Sequence, residues 1–100
     1  MLSCAENPVE LFSVRGRSAL VAGATGAFGE IAAEALARAG ARVLLAGAAR
    51  DRLEALAGRL RTGGATVATE AQRPDSEASC EALVAATVRE FGGLDILVNN

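Results

Sequence analysis

Four short apolar runs punctuate the chain, and the segments between them repeat their apolar residues at helical spacing. The runs are "RSALVA" (Arg17 to Ala22), "ARVLLAG" (Ala41 to Gly47), the weaker "ATVATE" (Ala65 to Glu70) and "LDILVNN" (Leu94 to Asn100). The first two lack polar alternation, which predicts strands buried on both faces, as in a parallel sheet. In "AFGEIAAEALARAG", Phe28, Ile31, Ala32, Ala35, Leu36 and Ala39 predict the inward face of a helix. Glu34 and Arg38 make an i,i+4 pair there, and Gly40 is a natural stop. "RDRLEALAGRLRTGG" predicts a second helix with Leu53, Leu56 and Leu60 inward and Asp51 in the first turn, where the helix dipole favours an acid. "DSEASCEALVAATVREFGG" predicts a third, with Ser76 as N-cap and Cys80, Leu83, Val84, Val88 and Phe91 on one face, Cys80 being read as a core residue. Strict β-α-β-α-β-α-β alternation predicts an α/β fold, a parallel sheet with right-handed crossover helices.

The junction between the first strand and the first helix reads "GATGAFG", Gly23 to Gly29. In that setting glycines have defined uses. The first permits a tight turn, bare backbone lets a pyrophosphate approach, and the last lets the helix pack on the strand. The first amides of the helix, around Gly26, Ala27, Phe28 and Gly29, have no partner within the helix and suit an anion; Thr25 adds a hydroxyl. The alternative is a turn that merely contains glycines.

Composition narrows the chemistry. With 100 residues, 51% apolar and a mean hydropathy of +0.29, the chain is expected to form one small globular domain with a thin stability margin. Its aromatic residues are only Phe12, Phe28 and Phe91, so Ala, Val and Leu must fill the core. The net charge is −2 and every basic residue is an Arg, with acids and bases interspersed. This argues against nucleic-acid partners and against a polybasic membrane patch. No run is long enough to span a membrane, and the first residues lack a signal-peptide pattern. Cys4 and Cys80 form neither a metal spacing nor a disulfide framework, so no metal is expected and a cytoplasmic location is the expectation. There is no His, Lys or Tyr, which removes the commonest general base, the Schiff-base amine and the phenol acid.

From "LFSVRGRSALVAGATGAFG" through "ARVLLAG" to "FGGLDILVNN", the chain resembles the short-chain dehydrogenase/reductase (SDR) family. The last piece matches the start of the family's Leu-Asp-Ile-Leu-Val-Asn-Asn-Ala-Gly signature. The resemblance implies a partial Rossmann-like three-layer fold over residues 15–100, after an N-terminal extension of residues 1–14, with four strands in the order 3-2-1-4. It implies a nicotinamide dinucleotide, NADP or NAD, as cofactor. The usual turn is Thr-Gly-x-x-x-Gly-x-Gly; here Ala22 replaces the Thr and Ala27 the middle glycine, while Gly26 supplies a glycine one place earlier. Gly-x-x-Gly-x-x-Gly belongs to the family's extended branch, but the flanks resemble the common branch, so this reads as a common-branch turn with a shifted glycine. The Ala27 methyl is expected to weaken phosphate binding, with Gly26 compensating.

Further positions carry over from the family residue by residue. After the second strand an acid would bind the ribose of NAD, whereas an Arg would meet the 2′-phosphate of NADP. Here Gly47, Ala48 and Ala49 precede Arg50, which leans the reading towards NADP; Arg50 and Arg52 as solvated first-turn charges are the alternative. Arg73 and Pro74 stand where the family has an Asp-Val pair near the adenine; Arg73 either stacks on or pairs with the cofactor or is a solvated loop charge, the second reading being favoured. Asn99 and Asn100 match the Asn pair beside the cofactor ribose. The family's Ser and Tyr-x-x-x-Lys, its further strands and its substrate loop follow the Asn pair, so no catalytic residue is assigned. A small-molecule substrate and a homo-oligomer are implied only for a full-length form.

Three functional expectations remain. The chain is the cofactor half of an NAD(P)-dependent oxidoreductase, a non-catalytic module that binds a nucleotide or a partner, or a relic. The fourth strand is expected as an open edge that invites pairing with another chain, and half the wall of the nucleotide crevice is expected to be missing.

Overall fold

β1 (Ser18–Ala22) is buried at all five positions because it lies inside the sheet, with a neighbour on each side. The computed structural model describes residues 13–100. In chain order β1 is followed by α1 (Ala27–Arg38), β2 (Arg42–Ala46), α2 (Arg50–Thr62), β3 (Val67–Glu70), α3 (Glu77–Phe91) and β4 (Ile96–Asn99). The sheet has the order β3-β2-β1-β4 and every pairing is parallel. This is the expected partial Rossmann fold. Each strand is shorter than its apolar run. β3, for example, begins at Val67 rather than Ala65.

Register aligns the strand ends. Ala22 is opposite Ala46 on one side and Asn99 on the other, and Ala46 is opposite Glu70. All four strands therefore finish at one level, and the loops that leave them gather on one rim. The other end of the sheet is pinned by polar contacts. The Ser18 amide donates to an Asp95 carboxylate oxygen at 2.9 Å. Arg42 donates to Ser18 Oγ at 2.8 Å and lies over the Phe91 ring.

Two apolar layers sandwich the sheet. On one face Val21, Val43 and Leu45 meet Ala33 and Ala37 of α1 and Leu53 and Leu56 of α2. On the other, Leu20 and Leu44 meet Leu83 and Ala86 of α3. The expected leucines of α2 are inward: Leu53, Leu56 and Leu60 are all buried. Burying each such side chain contributes about 1.5–3 kcal/mol.

The inward faces of the other two helices differ from the expectation. α1 buries Gly29, Ala33 and Ala37, with Leu36 packed beside them, whereas Phe28 and Ile31 are 62% and 66% exposed. Small residues at i, i+4 and i+8 bring the helix axis close to the sheet, and the large apolar residues are left outside. α3 buries Ser79, Leu83, Ala86 and Thr87. Cys80 is exposed rather than in the core, and Val84 and Val88 are also exposed. Thr87 is buried at no hydrogen-bonding cost because its hydroxyl donates to the Leu83 carbonyl at 2.9 Å. Other details agree with the sequence: Arg38 pairs with Glu34 at 2.8 Å, and Ser76 is the N-cap of α3. The expected extension lies, up to residue 12, outside the described residues.

Candidate functional site

A cleft of about 410 Å³ opens on the rim where the strands end. Gly23 and Thr25 line it from the turn after β1, Gly47, Ala48 and Ala49 from the turn after β2. Arg73, Pro74 and Asp75 come from the loop after β3, and Asn99 and Asn100 from the end of β4. Its volume lies within the range of small-molecule sites, and ligands of open α/β sheets bind outside the carboxyl ends of the strands. A smaller groove of about 290 Å³ runs between α1 and α2. Its charged residues already neutralise one another, with Arg59 on Glu34 at 3.4 Å and Arg38 on Glu34 at 2.8 Å.

The glycine turn is built by close contacts. Gly23 has φ +73, a conformation that favours glycine, and a Cβ there would stand 2.9 Å from the Asn100 carbonyl oxygen. Gly29, on the first turn of α1, packs so closely on Gly23 that a Cβ would collide with the Gly23 carbonyl and sit 3.0 Å from Ala24 Cα. A Cβ at Gly26 would meet the Asn100 side-chain nitrogen at 3.0 Å. Asn100 thus lies over the turn: its amide donates to the Ala22 carbonyl at 3.2 Å, and its side-chain nitrogen approaches the Gly23 carbonyl at 3.5 Å.

The start of α1 leaves donors free. Gly26 is the N-cap and has no side chain to cap with. Its own amide donates to the Gly23 carbonyl, and the first intrahelical bond runs from the Glu30 amide to the Gly26 carbonyl at 2.9 Å. The amides of Ala27, Phe28 and Gly29 have no protein acceptor among the described residues. Such amides, with the positive end of the helix dipole, attract anions. These residues do not line the cleft themselves; they continue from Gly23 and Thr25, which do.

Of the residues singled out from the sequence, Gly23, Thr25, Ala48, Arg73, Pro74, Asn99 and Asn100 meet at the cleft. Arg50 does not line it; it is exposed at the first position of α2. Gly47, Ala49 and Asp75 line the cleft without having been named as site residues. Their signal was positional: Gly47 ends the second predicted strand, Ala49 follows it, and Asp75 follows the third. Asp75 also accepts a hydrogen bond from the Ser79 hydroxyl at 3.2 Å, so one of its oxygens is engaged with the start of α3.

No group of three or more His, Cys, Asp and Glu residues that could hold a metal ion occurs among the described residues. Among them, too, no helix is long and apolar enough to cross a membrane. The uncapped amides, the bare backbone at Gly23 and the Thr25 hydroxyl fit the pyrophosphate of a dinucleotide.

Known proteins agree with this geometry. An uncharacterized oxidoreductase of Mycobacterium tuberculosis is 44% identical over 84 residues, which are 84% of this chain and 30% of that protein. A mutant short-chain dehydrogenase/reductase of Serratia marcescens superposes with a TM-score of 0.82 at 35% identity, over 88% of this chain and 36% of that one. A short-chain dehydrogenase/reductase of Burkholderia phymatum, solved in complex with NAD, gives 0.82 at 30% identity, over 86% of this chain and 31% of that one. The chain thus spans about a third of the length of these relatives. The family model for short chain dehydrogenase matches residues 17–100, and with a Rossmann-type sheet, a glycine turn and an Asn pair in register the chain belongs to the short-chain dehydrogenase/reductase family.

Proposed function

We propose that this chain is the dinucleotide-binding part of an NAD(P)-dependent oxidoreductase. The observation that carries this reading is the uncapped start of α1 beside a cleft at the strand ends. In this reading the amides of Ala27, Phe28 and Gly29 and the Thr25 hydroxyl hold the pyrophosphate. Gly23 and Gly26 keep the backbone bare beneath it. Ala48, Arg73 and Pro74 face the adenosine end, Arg50 at the exposed start of α2 adds positive charge near it, and Asn99 and Asn100 stand beside the nicotinamide ribose. No carboxylate sits at the end of β2, where Gly47, Ala48 and Ala49 stand, to bind a ribose 2′-hydroxyl, which favours NADP over NAD. When bound, the nicotinamide supplies the hydride chemistry. This chain orients it but has no Tyr or Lys with which to move the accompanying proton. Turnover on an alcohol or carbonyl substrate belongs to a longer form that supplies such groups.

A titration of the 100-residue chain with NADP and NAD, followed by amide NMR shifts, tests this. Saturable shifts at Ala27 to Gly29, reversed by inorganic pyrophosphate, are expected. Shifts that do not saturate, or that leave α1 untouched, would exclude the reading.

One observation favours a second reading, a partner-binding module. Leu97 of β4 is 60% exposed, and Val84 and Val88 of α3 stand exposed on the same face of the sheet. Unpaired strands of this kind recruit other strands. Sedimentation over a range of concentrations would detect self-association that Leu97→Asp abolishes. A monomer throughout removes this reading as far as a second copy is concerned.

A further inference from the structure

All of the chain's basic side chains are arginines, ten in number. Six are committed. Arg17, Arg38, Arg59 and Arg89 pair with carboxylates. Arg42 donates to Ser18 Oγ, and Arg61 donates through two nitrogens to the Val67 carbonyl. Arg15, Arg50, Arg52 and Arg73 have no side-chain partner among the described residues. Only one of these four, Arg73, lines the cleft.

The backbone around Arg73 is fixed. The Arg73 carbonyl accepts from the Asp75 amide at 2.9 Å, and just before it the Gln72 amide donates to the Glu70 carbonyl at 2.8 Å. Pro74 follows and has its own φ locked. The loop that carries Arg73 is thereby braced, and its unpaired side chain shares the cleft lining with Ala48 and Ala49, which carry no charge. The one acid that lines the cleft, Asp75, has an oxygen engaged by Ser79.

We propose that Arg73, not Arg50, determines specificity for the adenosine end of the dinucleotide, by binding a phosphate on the ribose 2′-oxygen. The proposal rests on the dinucleotide reading above and assigns its selectivity to the loop after β3. A planar guanidinium matches two phosphate oxygens at once, and an exposed one is free to do so without first breaking an ion pair. Arg50, exposed at the first position of α2, does not line the cleft, and it contributes general attraction only.

The test compares adenosine 2′,5′-bisphosphate with adenosine 5′-monophosphate, which differ only in the 2′-phosphate. Each is titrated into the 100-residue chain and into its Arg73→Ala, Arg73→Lys and Arg50→Ala variants. Arg73 is exposed and outside both apolar layers, so its replacement leaves the fold intact, and amide dispersion verifies this. The wild type is expected to bind the bisphosphate about ten-fold or more tightly than the monophosphate. Arg73→Ala loses that ratio, Arg73→Lys keeps part of it, and Arg50→Ala keeps all of it. Added salt narrows the ratio in the wild type and not in Arg73→Ala. A ratio that survives Arg73→Ala, or that Arg50→Ala abolishes, overturns the proposal. So does a wild type that binds both nucleotides equally, with the dinucleotide reading left standing. A wild type that binds neither nucleotide overturns both.

Discussion

α1 and α3 both start at the rim where the strands end, yet their first turns are built in opposite ways. At α3 the Ser76 hydroxyl accepts from the Ser79 amide at 3.1 Å, and the Ser79 hydroxyl accepts from the Ser76 amide at 2.9 Å. This capping box satisfies the helix start from within, and Asp75 adds a carboxylate. At α1 the equivalent position is Gly26, which offers no side chain. The amides that serine would occupy are left for something else. A helix start closed on itself supports a fold, whereas one left open beside a cleft is equipped for an anion. The two ends therefore divide the rim into a structural part and a binding part, and that division can be attacked residue by residue.

The largest effect is expected at Gly29. A Cβ there collides with the Gly23 carbonyl, which is backbone and cannot swing away. Gly29→Ala must push α1 off the sheet or distort the turn, at a cost of about 3 kcal/mol, the upper end for overpacking. In a small domain that is a large part of the total stability. Urea unfolding followed by circular dichroism measures it. A loss under about 1 kcal/mol would mean that the tight seat of α1 is not needed.

Gly26→Ser makes the two helix starts alike. Serine and glycine differ at an N-cap by only a few tenths of a kcal/mol, and the atom the new Cβ meets most closely is the tip of the Asn100 side chain, which can move. Stability is expected to change by less than about 1 kcal/mol. The new hydroxyl accepts from an amide assigned to pyrophosphate, so affinity for NADP falls about ten-fold, the value of one charge-assisted hydrogen bond. Calorimetry on the variant and the wild type separates these two quantities. Equal affinities would remove the amides of α1 from the site.

Ser76→Ala opens the closed end instead. It removes the cap of α3 and is expected to cost about 1 kcal/mol in stability, with no change in nucleotide affinity. An affinity loss in this variant would show that the start of α3 belongs to the binding part after all.

Much of this contrast was legible before any coordinates. Ser76 is an ordinary N-cap signal, and three glycines between a strand run and a helix point to an open turn. The strand order follows from family resemblance, and the register that levels the strand ends agrees with it. What failed has one physical cause, the weight that apolar periodicity gives to large residues. Phe28 and Ile31 outweigh Gly29, Ala33 and Ala37, although the small residues are the ones that let α1 approach the sheet. On α3, Ser79 and Thr87 are polar and did not count towards the inward face expected from apolar spacing. Both are buried because local hydrogen bonds satisfy their hydroxyls, which displaces Cys80, Val84 and Val88 to the surface. The difference between Arg50 and Arg73 was beyond reach for another reason. Only Arg73 lines the cleft, and which of two exposed arginines 23 residues apart does so is not encoded in spacing along the chain.

Gly58 gives the smallest effect and the cleanest control. It lies inside α2, is exposed, and a Cβ there would meet nothing within 4 Å. Gly58→Ala therefore removes backbone freedom from the unfolded chain without creating any contact, and should stabilise the protein by about 0.5–1 kcal/mol. The same substitution at Gly29 is expected to do the reverse, with a larger magnitude. Helix propensity favours alanine at both places, so the difference between the two changes measures the close seat of α1 on Gly23 alone. If both variants gained stability, the glycine of α1 would be a conformational accident, and the open helix start would lose the support that holds it against the strand ends.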